Sequence, residues 1–145
     1  MITYSAENIQ MPKIKKRQIN RWIKIIAGLH DKKIGDIGYL FVDDNKILET
    51  NKQYLKHDYY TDIITFDYTE NNTINGDIII SLDTVESNAE AFGKTFINEL
   101  HRVIIHGILH LCGINDKSPK ERKQMEAWEN KSLRILKEIL ADIKV

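Results

Sequence analysis

The chain has 145 residues with ordinary hydrophobic content, abundant charge and little Gly or Pro, which suits a single domain over 1–145 and excludes a fibrous or disordered chain. Its formal net charge is zero, so any attraction to nucleic acid must come from local patches rather than from the chain as a whole. No apolar run has the length of a bilayer span, the opening MITYSAENIQMPKIKK lacks the pattern of a secretory signal, and Cys112 has no second cysteine to pair with, so a cytoplasmic protein with no membrane partner is expected.

In chain order, a short strand is expected at Ile2 to Tyr4. Ile14, Ile19, Trp22, Ile23, Ile26 and Leu29 then recur at helical spacing, predicting an amphipathic helix that stops near Gly28 to His30. Gly35 to Val42 alternates as a half-buried strand does, and Asp43 or Asp44 can cap a short helix running toward Tyr54. The β-branched and aromatic segment HDYYTDIITFDY, the turn-like NNTING and the apolar GDIIIS predict a hairpin. Asp83 with Glu86 has the form of a capping box and should open a helix through Ala91. A long helix from about Thr95 to Cys112 should end at Gly113, and Ser118, Pro119 and Glu121 have the cap, first-turn and box roles of a last helix with Trp128, Leu133, Leu136 and Leu140 as its apolar stripe. The order of elements describes an α/β or α+β domain with a small mixed sheet. Lys13, Lys15, Lys16, Arg17, Arg21 and Lys24 gather positive charge early in the chain, and Lys117, Lys120, Arg122 and Lys123 do so after the long helix. Both runs read first as solvated helix faces and second as phosphate contacts.

The chemistry concentrates in HRVIIHGILHLCG, where His106 and His110 stand four apart and leave the same helix face one turn from each other. Two imidazoles so placed can converge on one cation, whereas burying both without partners in an aliphatic helix is costly. Once Gly113 breaks the helix, Asp116 is placed to return a carboxylate to the same ion. Two imidazoles and a carboxylate make an open three-ligand site, the arrangement by which catalytic zinc activates water. Gly107 stands where metalloproteases of the H-E-x-x-H type carry their Glu, and is expected to let a substrate or another backbone approach closely. Glu99 and Arg102, one to two turns earlier, are either partners that orient an imidazole or a surface ion pair. His30, His101 and Cys112 read as core residues.

The segment HGILHLCGIND, preceded by YTDIITFDY and GDIIIS, resembles the YbeY family of ribosomal RNA maturation factors, whose motif runs H-G-x-L-H-L-x-G-x-D-H with three histidines as zinc ligands. Thr61, Asp62 and Phe66 fit the family's first strand, Gly76, Asp77 and Ile78 its second, and His106, Gly107, Leu109, His110, Leu111 and Gly113 the motif. Two positions depart from it. Asp116 stands at the third ligand position, and Leu55 follows Tyr54 where the family commonly has an Arg implicated in function. Lys56, His57 or Lys117 is then expected to supply the contact to substrate phosphate. The resemblance implies an α+β fold, a small mixed four-stranded sheet flanked by helices, zinc-hydrolase-like with the His pair on a central helix. It also implies a zinc-dependent endoribonuclease for single-stranded RNA, acting in maturation of the small-subunit ribosomal RNA 3′ end and in ribosome quality control, with the ribosome, ribosomal proteins or assembly factors as partners.

On this reading His106, His110 and Asp116 hold one Zn2+ and form the catalytic centre. The residues leave open a peptidase-like hydrolase, an iron-dependent oxygenase built on two histidines and a carboxylate, and a non-catalytic assembly factor stabilised by its metal.

Overall fold

Alternation of side chains decides how the strands lie, because successive residues of a strand face opposite sides of a sheet. The computed structural model describes residues 1–55 and 61–142. Strands β1 (Ile2–Ala6), β2 (Lys33–Val42), β3 (Ile63–Asp67) and β4 (Thr73–Ser81) form one sheet in the order β1-β2-β4-β3. β1 and β4 run parallel to β2, and β3 pairs antiparallel with β4. The expected hairpin is therefore present, and β3 is the sheet's edge next to the long helix. Parallel neighbours need a crossover between them, which helix α1 (Lys16–Leu29) provides between β1 and β2.

One face of the sheet, carrying Ile37, Tyr39, Phe41, Ile74, Ile78 and Ile80, packs against α1, α4 (Phe96–Leu111) and α5 (Pro119–Asp142) in the main core. The opposite face buries Val42 and Ile64 against Ile47 of the short helix α2 (Asp44–Thr50), which runs on into a π-helical turn at Asn51–Leu55. Two buried donors lock the layers: the indole N–H of Trp22 donates to the carbonyl of Ser132 at 2.7 Å, and the Tyr39 hydroxyl to that of Ile104 at 2.9 Å. His101 is buried edge-on to Trp22, and burial pushes its pKa down to about 4, as suits a neutral core residue. His30 packs on Trp128, and Cys112 is half-buried with its thiol pushed up to about 11 by burial.

One choice is resolved and two local expectations change. Asp43 caps α2, accepting the N–H of Lys46, while the carboxylate of Asp44 accepts the hydroxyls of Ser81 and Thr84. Helix α3 (Leu82–Ala91) is capped by Ser81, whose hydroxyl accepts the N–H of Thr84. Asp83 is thus inside the first turn and accepts the N–H of Asp44 instead of forming a box with Glu86, so the two helix starts are cross-linked. In α5 the buried stripe is Met125, Glu129, Ser132, Leu136 and Ile139, with Trp128, Leu133 and Leu140 flanking it half-buried. The Ser118–Glu121 box is present, each side chain accepting the other residue's N–H.

Gly107 does not open space for substrate. It is buried against the sheet, and a Cβ there would lie 2.9 Å from Cδ1 of Ile78 and 3.3 Å from Cδ1 of Ile63. On the sheet side, a Cβ at Gly76 would lie 2.6 Å from the carbonyl oxygen of Phe66 and 3.1 Å from Leu111. The two glycines let α4 settle low on β3 and β4. Backbone cannot give way as the end of an Ile side chain can. Gly76→Ala is therefore expected to destabilise the fold by about 1–3 kcal/mol. Gly107→Ala should cost less, because a gain in helix propensity of up to about 1 kcal/mol opposes the crowding. Urea denaturation of the two variants checks the order.

Candidate functional site

Helix α4 begins at the Thr95 cap, buries Leu100, Val103, Ile104, Ile108 and Leu109, and leaves His106 and His110 half-buried on a cleft facing β3. Gly113, at φ 99°, ends the helix in the left-handed region open to glycine, and the chain turns back. That turn brings Oδ2 of Asp116 to 3.3 Å from Nε2 of His106. His106, His110 and Asp116 all line one cleft of about 350 Å³, whose strand-side wall is Thr61 to Thr65.

The other nitrogen of His106 has a partner that the sequence reading did not single out. Oε2 of Glu129, from α5, lies 2.7 Å from Nδ1. Its second oxygen takes a hydrogen bond from Nη1 of Arg102 at 2.7 Å, and Arg102 also reaches Oδ1 of Asn130 at 3.2 Å and Oε1 of Glu99 at 3.6 Å. A carboxylate on Nδ1 holds the proton there, so the neutral imidazole presents its Nε2 lone pair toward Asp116. Glu99 and Arg102 do not orient the ring directly. Arg102 braces Glu129, and Glu99, buried at 4 % exposure, braces Arg102. The available signal was position: Glu129 falls in the buried stripe of α5 among apolar residues, where a lone carboxylate requires a partner.

Charge is unusually one-sided here. Among the described residues, Asp62, Glu99, Asp116 and Glu129 line the cleft against the single guanidinium of Arg102. Burial, which alone would lower the pKa of His106, is outweighed by its hydrogen bond to Glu129 and by the charges of Glu129, Asp116 and Asp62, so the imidazole is held above its ordinary range. Burial raises Asp62, with His106 opposing and Glu129 adding to the shift, and burial likewise raises Glu99 against the pull of Arg102.

Among the described residues no three donor groups are already gathered tightly enough to hold an ion. The donor set nevertheless suits one: an imidazole whose Nδ1 proton is fixed by a buried carboxylate, a second imidazole on the same cleft, and a carboxylate facing the first. Lys117 is exposed outside the cleft lining, its carbonyl accepting from Arg122. Lys56 and His57 lie outside the described residues.

Removing Glu129 leaves Arg102 and His106 without their shared anion. Glu129→Ala is expected to cost about 2–4 kcal/mol, the lower side of what broken buried pairs cost because Arg102 is partly exposed. In protein stripped of divalent ions, the raised folded pKa of His106 gives a stabilisation fully present below pH 6.5 and lost as pH rises through the folded value. Urea midpoints across that window should fall with rising pH in the wild type and vary less in Glu129→Gln; His101 titrates lower and is common to both.

Known proteins resemble this chain over nearly its whole length. A family model described as Endoribonuclease YbeY matches residues 1–137. Endoribonuclease YbeY of Parabacteroides distasonis is 64% identical over 137 residues, 94% of this chain and 96% of that protein. The Porphyromonas gingivalis protein of the same name is 52% identical over 96% of this chain and 92% of its own. A solution structure of a protein from Thermotoga maritima shares the fold at a TM-score of 0.67 and 28% identity, covering 94% of this chain and 89% of that one. With a family match over nearly its whole length and relatives this similar, the chain belongs to the YbeY endoribonuclease family.

Proposed function

We propose that this protein is a metal-dependent endoribonuclease cutting single-stranded RNA, with one zinc ion held by His106, His110 and Asp116. The observation that carries it is the His106 ring, fixed by Glu129 through one nitrogen and aimed by the other at Asp116, in a cleft also lined by His110. RNA is the substrate class. Maturation of the small-subunit ribosomal RNA 3′ end and ribosome quality control, in the cytoplasm and with ribosomal proteins or assembly factors as partners, is the physiological setting that family membership supports.

Bound there, zinc would supply Lewis acidity at a phosphoryl oxygen and the positive charge that a polyanion needs to enter a cleft lined by carboxylates. Each protein group then has a separate task. Glu129 keeps the Nδ1 proton of His106 in place, so that Nε2 is the nitrogen free to coordinate. Arg102 keeps Glu129 in that orientation and neutralises part of its charge. β3 forms the wall opposite α4 against which a single strand can lie. The Asp at the third position adds a full negative charge to the proposed donor set, giving a less Lewis-acidic ion than three histidines would.

Metal content tests the proposal before activity does. Wild-type protein purified without chelator should carry about one zinc per chain, lost in His110→Ala and in Asp116→Ala. Glu129→Ala should weaken zinc binding by about 10–100-fold. Cleavage of single-stranded RNA should vanish with chelator and return with zinc, and duplex RNA should resist. Zinc retained in Asp116→Ala would remove Asp116 from the ligand set, and RNA cleavage undiminished in His106→Ala would sink the assignment of the site.

A further inference from the structure

A second depression, of about 790 Å³, lies beside the cleft and shares Glu99 and Arg102 with it. It is bounded by the approach to α1, the first turn of α4 and the last turns of α5. Its charge is opposite to that of the cleft. Lys13, Lys15, Lys94, Arg134 and Lys137 join Arg102 around it, against Glu99 alone. Those first five are exposed, and among the described residues none is in an ion pair. A chain of zero net charge has thus placed five cations from three separate segments around one groove. The positive end of the α4 dipole adds to the same potential.

The floor is apolar and aliphatic. Ile97, Leu133 and Leu140 line it, and the aromatic Trp22 below is sealed off by His101. Among the described residues its one ring, His101, is buried and packed edge-on against Trp22, so the groove offers no exposed ring on which a base could stack. What it offers is a track for phosphates.

From this juxtaposition we propose that the groove binds the phosphodiester backbone of single-stranded RNA flanking the bond to be cut, through Lys13, Lys15, Lys94, Arg134 and Lys137. This rests on reading the adjoining cleft as the nuclease centre. It also resolves an electrostatic conflict, since the cleft's carboxylates repel RNA and affinity must come from elsewhere on the same surface. Binding should be insensitive to base sequence and steeply dependent on salt.

The test compares wild type with the triple variant Lys15→Gln, Arg134→Gln, Lys137→Gln, none of which lines the cleft. Fluorescence anisotropy would follow a labelled oligouridylate of about 12 nucleotides and one of about 4 over a range of salt. The long oligomer should bind about 10–100-fold more weakly to the variant, with the salt slope smaller by about 2. Binding and cleavage of the short oligomer should be unchanged. The charge-preserving Lys15→Arg, Arg134→Lys, Lys137→Arg protein should restore the long oligomer, which a misfolded groove would not allow. Equal affinity of wild type and triple variant for the long oligomer overturns the proposal, as does polyglutamate of matched charge binding wild type more tightly than the long oligomer does, which would make the occupant an acidic protein segment. Wild-type protein that binds the long oligomer through these residues yet cleaves neither overturns the nuclease reading and leaves the groove standing.

Discussion

One carboxylate joins the two helices on which the site depends. Glu129 lies in the buried stripe of α5, where an unpaired charge would be costly, and its two oxygens are taken by His106 and Arg102 of α4. The pairing fixes the rotation of α5 against α4, selects the protonated nitrogen of His106, and anchors the guanidinium of Arg102. Removing any one of the three groups leaves another charged or polar group poorly satisfied. α5 therefore does more than pack on α1 and α4: its packing register sets the direction of an imidazole on a different helix.

The glycines complete that arrangement from the sheet side. Gly107 and Gly76 allow close contact between α4 and the β3–β4 pair, which brings the wall of β3 within reach of the His106 face. The site is thus held from both sides, by shape on the sheet and by charge on α5. Electrostatics divides the same surface into two regions. The carboxylates converge on the cleft and the cations on the groove beside it, while the total charge is zero. For a substrate that is itself a polyanion, such a division separates affinity from chemistry: the groove attracts, and the cleft accepts a phosphate only when a cation offsets its own charge.

Much of the fold was legible because the patterns are local. The strands of β2 and β4, the start of α4 near Thr95, the Ser118 cap and the stop at Gly113 follow from side-chain alternation, helical periodicity, capping chemistry and glycine's freedom at positive φ. The His106 and His110 spacing was legible for the same reason, since one helical turn brings them onto the same cleft. What escaped was long-range. Glu129 meets His106 across an interval of 23 residues, and only the register of α5 decides which of its many acidic side chains faces inward. The Asp83 box failed because Ser81 competes for the same first turn and Asp44, distant in sequence, offers its N–H to Asp83. Gly107 was read as room for a substrate or another backbone, and what it makes room for is the sheet.

The Asp at position 116 changes the chemistry of the proposed site. With Asp116 at 3.3 Å from Nε2 and Glu129 at 2.7 Å from Nδ1, the His106 ring sits between two carboxylates and its doubly protonated form is favoured. A proton on Nε2 and a metal ion on Nε2 exclude each other. Carboxylates that favour the ion electrostatically also favour the proton, so at this site an anionic third donor makes metal uptake more dependent on pH than a neutral imidazole in its place would. Arg102 moderates the effect by drawing on the charge of Glu129, and the partial burial of the ring opposes protonation. A metal ion bound there would therefore compete with the proton for one nitrogen whose basicity is set by residues from α4, α5 and the turn between them.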